Sequence, residues 1–176
     1  MKQNLLVISY DYDLSKQLAE KLSETFSMRV FDQIALFEFD HSPRTLGNVF
    51  AEHGRDYVNK KFRSLLKMEL DFDDAVFVCD LSIADHSEDL FFKINLSNFV
   101  IFLHKNVDIE IEQINNKTYK SAEERNFFVC TKEELLAREQ KISEYCADLN
   151  IDITGIDEDK ILEVIISEIK GYYSVN

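Results

Sequence analysis

Five short apolar runs recur along this chain with helix-patterned segments between them, and that alternation leaves few folds open. "NLLVIS", Asn4–Ser9, has the apolar, β-branched content of a strand buried on both faces. The "LSKQLAEKLSETF" that follows sets Leu14, Leu18, Leu22 and Phe26 at the spacing of one helix face. "MRVFDQIALFEF" is expected to hold a second strand or a strand-to-helix passage, and Thr45–Leu70 reads as a helix broken near Gly54. "DAVFVCDL" (Asp74–Leu81) and "NFVIFLHK" (Asn98–Lys105) read as buried strands, with a helix from about Ser87 to Ser97 between them. Thr131 and Glu134 form the S/T-x-x-E capping box of a helix running to about Asp148. "LNIDIT" is a fifth strand, and Asp157 is placed to cap a closing helix. "NKTYKSAEERNFFVC" shows no clean period, and a mobile, lid-like segment is expected at about 115–130.

Strands alternating with helices imply a parallel sheet covered on both faces. The expectation is a single α/β domain over residues 1–176: three layers, α/β/α, on a five-stranded parallel sheet. No internal repeat, linker or low-complexity tract interrupts it.

Composition excludes more function classes than it selects. A formal charge of -13 opposes a general nucleic-acid or anionic-membrane binder, because the long-range field repels both. The N-terminal stretch lacks the apolar segment of a signal peptide, and no later run is long enough to span a bilayer, so a cytoplasmic protein is expected. Cys79, Cys130 and Cys146 and the four scattered histidines show no metal-ligand spacing, so no metal is assigned. Four glycines in all leave little material for a backbone cradle around a phosphate. Phe91, Phe92, Phe99 and Phe102 fall on elements that need a core and are read as core, not as base-stacking platforms.

Several stretches, in order, resemble the shikimate kinases, small kinases of the phosphate-loop nucleoside-monophosphate-kinase fold. "LAEKL" (Leu18–Leu22) looks like the first-helix sequence behind that family's phosphate loop. "VFAEHGRDYVNKKF" (Val49–Phe62) looks like the segment that brings an arginine to the shikimate carboxylate. "DDAVFVCDL" sits where the family has a strand running into a triple-glycine turn. "REQKISEYCADLNID" (Arg138–Asp152) is similar to the segment whose arginine also binds substrate. The resemblance spans nearly the whole chain, and it implies ATP, magnesium and a small carboxylate substrate. It leaves Asp32, Arg55 and Arg138 as the substrate-binding candidates.

The departures fall on the chemistry. Where the family has G-x-x-x-x-G-K-[ST], this chain has "YDYDLSKQ", about four residues shorter, roughly one helical turn. Glycines in such a loop free successive N–H groups for the phosphates, the lysine reaches the β/γ oxygens, and the Ser/Thr holds magnesium. Here Ser15-Lys16 is a reversed echo, and "YDYD" reads as a polar turn in which Asp13 caps the helix. Ile34 replaces the second carboxylate of the family's D-x-D, Asn59 its arginine, and Asp80-Leu81-Ser82 its triple glycine.

Two readings stay open on the sequence. One is a protein of this fold without ATP binding or kinase activity. It would be a binding or regulatory protein acting on another protein, on itself, or on a small carboxylate. Resemblance would place such a partner in aromatic amino-acid biosynthesis. The other is a divergent active kinase that uses magnesium and ATP at a non-standard phosphate site built from Lys16, Lys60, Lys61 and Arg63.

Overall fold

The computed structural model describes residues 4–69, 71–86 and 88–175. Five parallel strands form one sheet: β1 (Asn4–Ser9), β2 (Arg29–Asp32), β3 (Ala75–Cys79), β4 (Asn98–His104) and β5 (Leu149–Asp152), in the order β2-β3-β1-β4-β5. The helices are α1 (Tyr12–Phe26), α2 (Gln33–Asp40), α3 (Leu46–Glu69), α4 (Glu88–Ser97), α5 (Val107–Asn116), α6 (Ala122–Phe128), α7 (Lys132–Tyr145) and α8 (Glu158–Val175). This is the three-layer arrangement expected from the sequence.

Strand periodicity explains the layers. All six residues of β1 are buried, and they alternate between two cores. Leu5 and Val7 face one core with Leu18, Leu22, Phe62, Ile161, Ile165 and Ile169, from α1, α3 and α8. Leu6 and Ile8 face the other with Phe91, Ile94, Leu135 and Ile142, from α4 and α7. Removing one such fully buried side chain to alanine costs roughly 2–5 kcal/mol. The start of β1 is pinned to β3 by Asn4, which donates to the Phe72 carbonyl at 2.7 Å and accepts from the Ala75 N–H at 3.0 Å.

Local signals act where the sequence places them. Thr131 and Glu134 close the capping box on α7 in both directions. Asp157 accepts from the Asp159 N–H at 3.0 Å. Gly54 kinks α3 at φ 77°, ψ 177°, a conformation open essentially to glycine alone. The predicted ends at Ser87 and Leu70 lie outside the described residues.

Three details differ from expectation. The "VDIEIEQINN" stretch, unassigned from its pattern, is helix α5, capped by Asn106, whose side chain accepts from the Asp108 N–H at 3.0 Å. Phe92 is not core: it is 67% exposed, one turn from the exposed Leu96. The aperiodic stretch after α5 contains helix α6, and its Phe127 is 1% exposed.

No described helix is long and apolar enough to cross a membrane.

Candidate functional site

The ends of β1 and β3, the starts of α1 and α2, and the α5–α6 connection meet at the carboxyl edge of the sheet. This is where ligands sit in open α/β folds.

Only Tyr10 and Asp11 connect β1 to α1. The connection does not make a phosphate cradle. Among the described residues positive φ occurs only at Ser27, Gly54, Asp74 and Gly155, so no left-handed residue turns successive amides toward a common point here. The amides are already engaged. The Asp11 N–H donates to Ser9 Oγ at 3.0 Å, the Tyr12 N–H to the Tyr10 carbonyl at 3.0 Å, and the Leu14 N–H to Asp11 Oδ1 at 3.3 Å. The cap is therefore Asp11, not Asp13 as the sequence suggested, because the helix begins at Tyr12. Asp13 lies in the first turn and pairs instead with Lys117 at 2.8 Å, while Asp11 also holds Lys105 at 3.2 Å.

Asp32 ends β2 and caps α2, accepting from the Ala35 N–H at 2.9 Å. It also accepts from the Tyr12 hydroxyl, and it pairs with Lys16 Nζ at 2.8 Å. Burial alone would raise its pKa, but the hydrogen bonds from Lys16, Tyr12 and the Ala35 N–H outweigh burial and hold it below the ordinary value. Lys16 is thus committed to a protein carboxylate. Burial, reinforced by the Asp32 charge, raises the Tyr12 hydroxyl, which stays protonated as donor.

Arg55 and Arg138, far apart in sequence, do converge. They line one small space with Tyr10, Asp80, Leu81, Phe127 and Phe128, and its volume is about 10 Å³, room for at most a single water. Both guanidiniums already have protein partners. Arg55 donates to the Phe127 carbonyl at 2.8 Å and stacks against Phe50 and Phe127, with its central carbon 5.6 and 5.1 Å from the ring centroids. Arg138 forms two bonds to Asp85, at 3.1 and 3.0 Å. Burial works against the Arg138 charge, but Asp85 more than compensates. Asn59 donates to the same carboxylate at 3.2 Å. Asp80 is buried with Ser82 as hydrogen-bond partner, and burial pushes its pKa up despite that bond.

The filling comes from both ends of the site. The Tyr10 hydroxyl donates to the Phe128 carbonyl at 2.8 Å, tying the β1 end to α6. On the other side α6 lies hard against α3. A Cβ added at Gly47 would sit 2.7 Å from Ser121 Oγ and 2.8 Å from the Glu124 nitrogen, so only glycine permits this approach.

Beside this closed position lies an open cleft of about 270 Å³. Lys16, Lys117 and Lys120 meet Asp13, Asp32, Glu38 and Glu124 there, over Tyr12, Ile34 and Phe128. Asp32 therefore belongs to a different space from Arg55 and Arg138. Lys60, Lys61 and Arg63 do not join Lys16. Lys61 reaches toward Asp40 at 3.9 Å and the Tyr57 ring, while Arg63 faces the buried His86.

Sequence reasoning missed the plugging aromatics Tyr10, Tyr12, Phe127 and Phe128 and the cleft residues Lys117, Lys120, Glu38 and Glu124. The signal was present in two places, the tyrosines interleaved in "SYDYD" and the paired lysines of "KTYK".

No protein-family model matches the chain, and no curated protein matches its sequence. Solved structures do. The shikimate kinase from Aquifex aeolicus superposes with a TM-score of 0.75 at 13% identity, covering 98% of this chain and 99% of that one. The shikimate kinase from Acinetobacter baumannii, in complex with shikimate, gives 0.78 at 12% identity, covering 98% and 95%. A gluconokinase from Sinorhizobium meliloti gives 0.56 at 12% identity, covering 98% of each chain. Likeness along the whole length at such low identity speaks for architecture, and with the strand order and layering above it establishes that this chain has the fold of the shikimate kinases.

Proposed function

We propose that this protein keeps the shikimate-kinase fold without binding ATP or transferring a phosphoryl group, and that it works as a binding or regulatory protein. The observation that carries this reading is the β1–α1 connection, whose amides are engaged within the chain and whose cap is the carboxylate of Asp11. Phosphoryl transfer rests on positioned donors and a bridging metal, with little other protein chemistry to replace them. Two aspartates, Asp11 and Asp13, stand in the stretch that takes the place of the phosphate loop. A carboxylate about 4 Å from a phosphate oxygen costs on the order of 4 kcal/mol per charge pair at an effective dielectric near 20. One such contact would offset about half of a micromolar affinity, roughly 8 kcal/mol, and Lys105 and Lys117, paired with Asp11 and Asp13, reduce that cost without removing it. The residues present therefore do not fit Mg·ATP.

The substrate side supports the same reading. Arg55 and Arg138 already hold protein acceptors, and a space of about 10 Å³ admits no six-membered ring. The partner of such a role would be another protein, a second copy of this chain, or a small ligand carrying a carboxylate.

The test is a coupled assay for ADP, with purified protein, Mg·ATP and shikimate. No turnover above the protein-free background is expected. Saturable, shikimate-dependent release of ADP would return the chain to the active kinases.

A further inference from the structure

We propose that the open cleft beside Asp32 binds a small zwitterion, a molecule of amino-acid size carrying one carboxylate and one ammonium group. The inference rests on reading the chain as a binding protein, and it names what would be bound and where.

Size sets the first limit. At about 270 Å³ the cleft lies just under the range that takes drug-sized ligands, so it suits a small molecule. Charge sets the second. Three lysines line it against four carboxylates, in a protein of formal charge -13. A free anion would meet all four carboxylates, and a bare cation would meet three ammonium groups. A ligand with separated opposite charges avoids both penalties.

The hydrogen-bond inventory assigns the two ends. Each lysine ammonium has three donors. Lys16 spends one on Asp32 at 2.8 Å, and Lys117 spends one on Asp13 at 2.8 Å, so both keep donors for a ligand carboxylate. Thr118, between Lys117 and Tyr119, lines the cleft as well and adds a hydroxyl.

The acceptors divide unequally. Asp32 is filled by Tyr12, the Ala35 N–H and Lys16. Glu38 is filled by the Leu46 N–H and Lys120. Asp13 engages one oxygen with Lys117, and Glu124 accepts the Lys120 N–H on one oxygen. Those two carboxylates have the lone pairs left to take an ammonium. Ile34, Ala35 and Phe128 provide an apolar wall for a side chain between the charged ends.

The site differs from the closed position at Arg55 and Arg138, and its elements can be varied without opening a core. The Lys117 and Asp13 side chains are 38% and 69% exposed, so Lys117→Met should fold as wild type does.

The experiment is a melting-temperature titration of the full chain with a panel of single free amino acids. Acetate and inorganic phosphate are the anions without an ammonium, and methylamine is the cation without a carboxylate, all at matched ionic strength. At least one amino acid is expected to raise the melting temperature saturably by several degrees, with the single-charge probes doing nothing. Lys117→Met and Thr118→Val should each melt as wild type does and weaken that shift by tenfold or more in concentration. The proposal is overturned if no amino acid acts, if acetate or phosphate acts as well, or if the shift survives Lys117→Met. A parallel Mg·ATP arm keeps the two claims apart, since a nucleotide shift would contradict the non-kinase reading and leave the amino-acid result standing by itself.

Discussion

Arg55 and Arg138 share one place at the edge of the sheet and Asp32 occupies another, and the chain treats the two spaces in opposite ways. Around the arginines it closes the space with aromatic rings from both sides, Tyr10 from the strand end and Phe127 and Phe128 from α6. Around Asp32 it leaves about 270 Å³ open and lines it with paired charges. Rings pack and exclude water, so the first space is gone. Lysine–carboxylate pairs at a rim hold elements in register without filling the volume between them, so the second space stays. That one space is closed and its neighbour open follows from which residue types face each.

The largest effect expected from disturbing this contrast is at Phe127, which is 1% exposed and packs edge-on against Phe50 and Phe62. Phe127→Ala should cost about 3–5 kcal/mol in urea denaturation, because it removes a buried ring and leaves a cavity. A cost under about 1 kcal/mol would mean that α6 is only loosely applied, and the closed position would then be closed in name only.

A second effect is set by pH and acts between α5 and α7, the helix that carries Arg138. Glu110 of α5 is 3% exposed, and its Oε2, like Oε1 of Glu139 on α7, has no other partner. Burial pushes Glu110 up to about 8, helped by its bond to Glu139 and by that group's charge, against the Lys105 N–H and His104. Burial raises Glu139 as well. The folded state therefore holds a proton that the unfolded chain releases near 4.5. The stabilisation is complete below that value and is lost as pH rises toward 8, by at most about 1.4 kcal/mol per unit. Glu110→Gln should flatten this slope in melting curves taken across the window, and an unchanged slope would remove the shared proton from the account.

A smaller effect separates Asp11 from Asp13. Asp11→Ala removes the α1 cap and should cost roughly 1 kcal/mol. Asp13→Ala breaks an exposed pair with Lys117 and should cost no more than about 0.5 kcal/mol, less at high salt. Equal costs would undo the assignment of the cap.

Much of the fold was legible because it is written in short-range periods. The six residues of β1, the four-residue spacing in α1 and the Thr131–Glu134 box each need only their own segment to be read. α5 escaped because its polar face dominates: of its ten residues only Glu110 and Ile114 are buried. The candidate site was legible by half. That Arg55 and Arg138 meet was implied by the family resemblance of their two segments, and Lys16 sits on α1 as its pattern suggested, paired with Asp32. The actual partners of the two arginines were not implied, because the Phe127 carbonyl and Asp85 reach them only through the folded chain. The same holds for the cap, where moving the first helical residue from Leu14 to Tyr12 exchanges the roles of two aspartates.

The most direct measurement is the melting temperature of the purified chain as Mg·ATP is titrated to saturation of an ordinary nucleotide site. A ligand at a hundredfold its dissociation constant adds about 2.7 kcal/mol, a rise of several degrees. The self-engaged β1–α1 connection predicts no rise at any concentration. A saturable rise with Mg·ATP, lost in Asp11→Ala or Lys16→Ala, would contradict it and put a nucleotide back on α1.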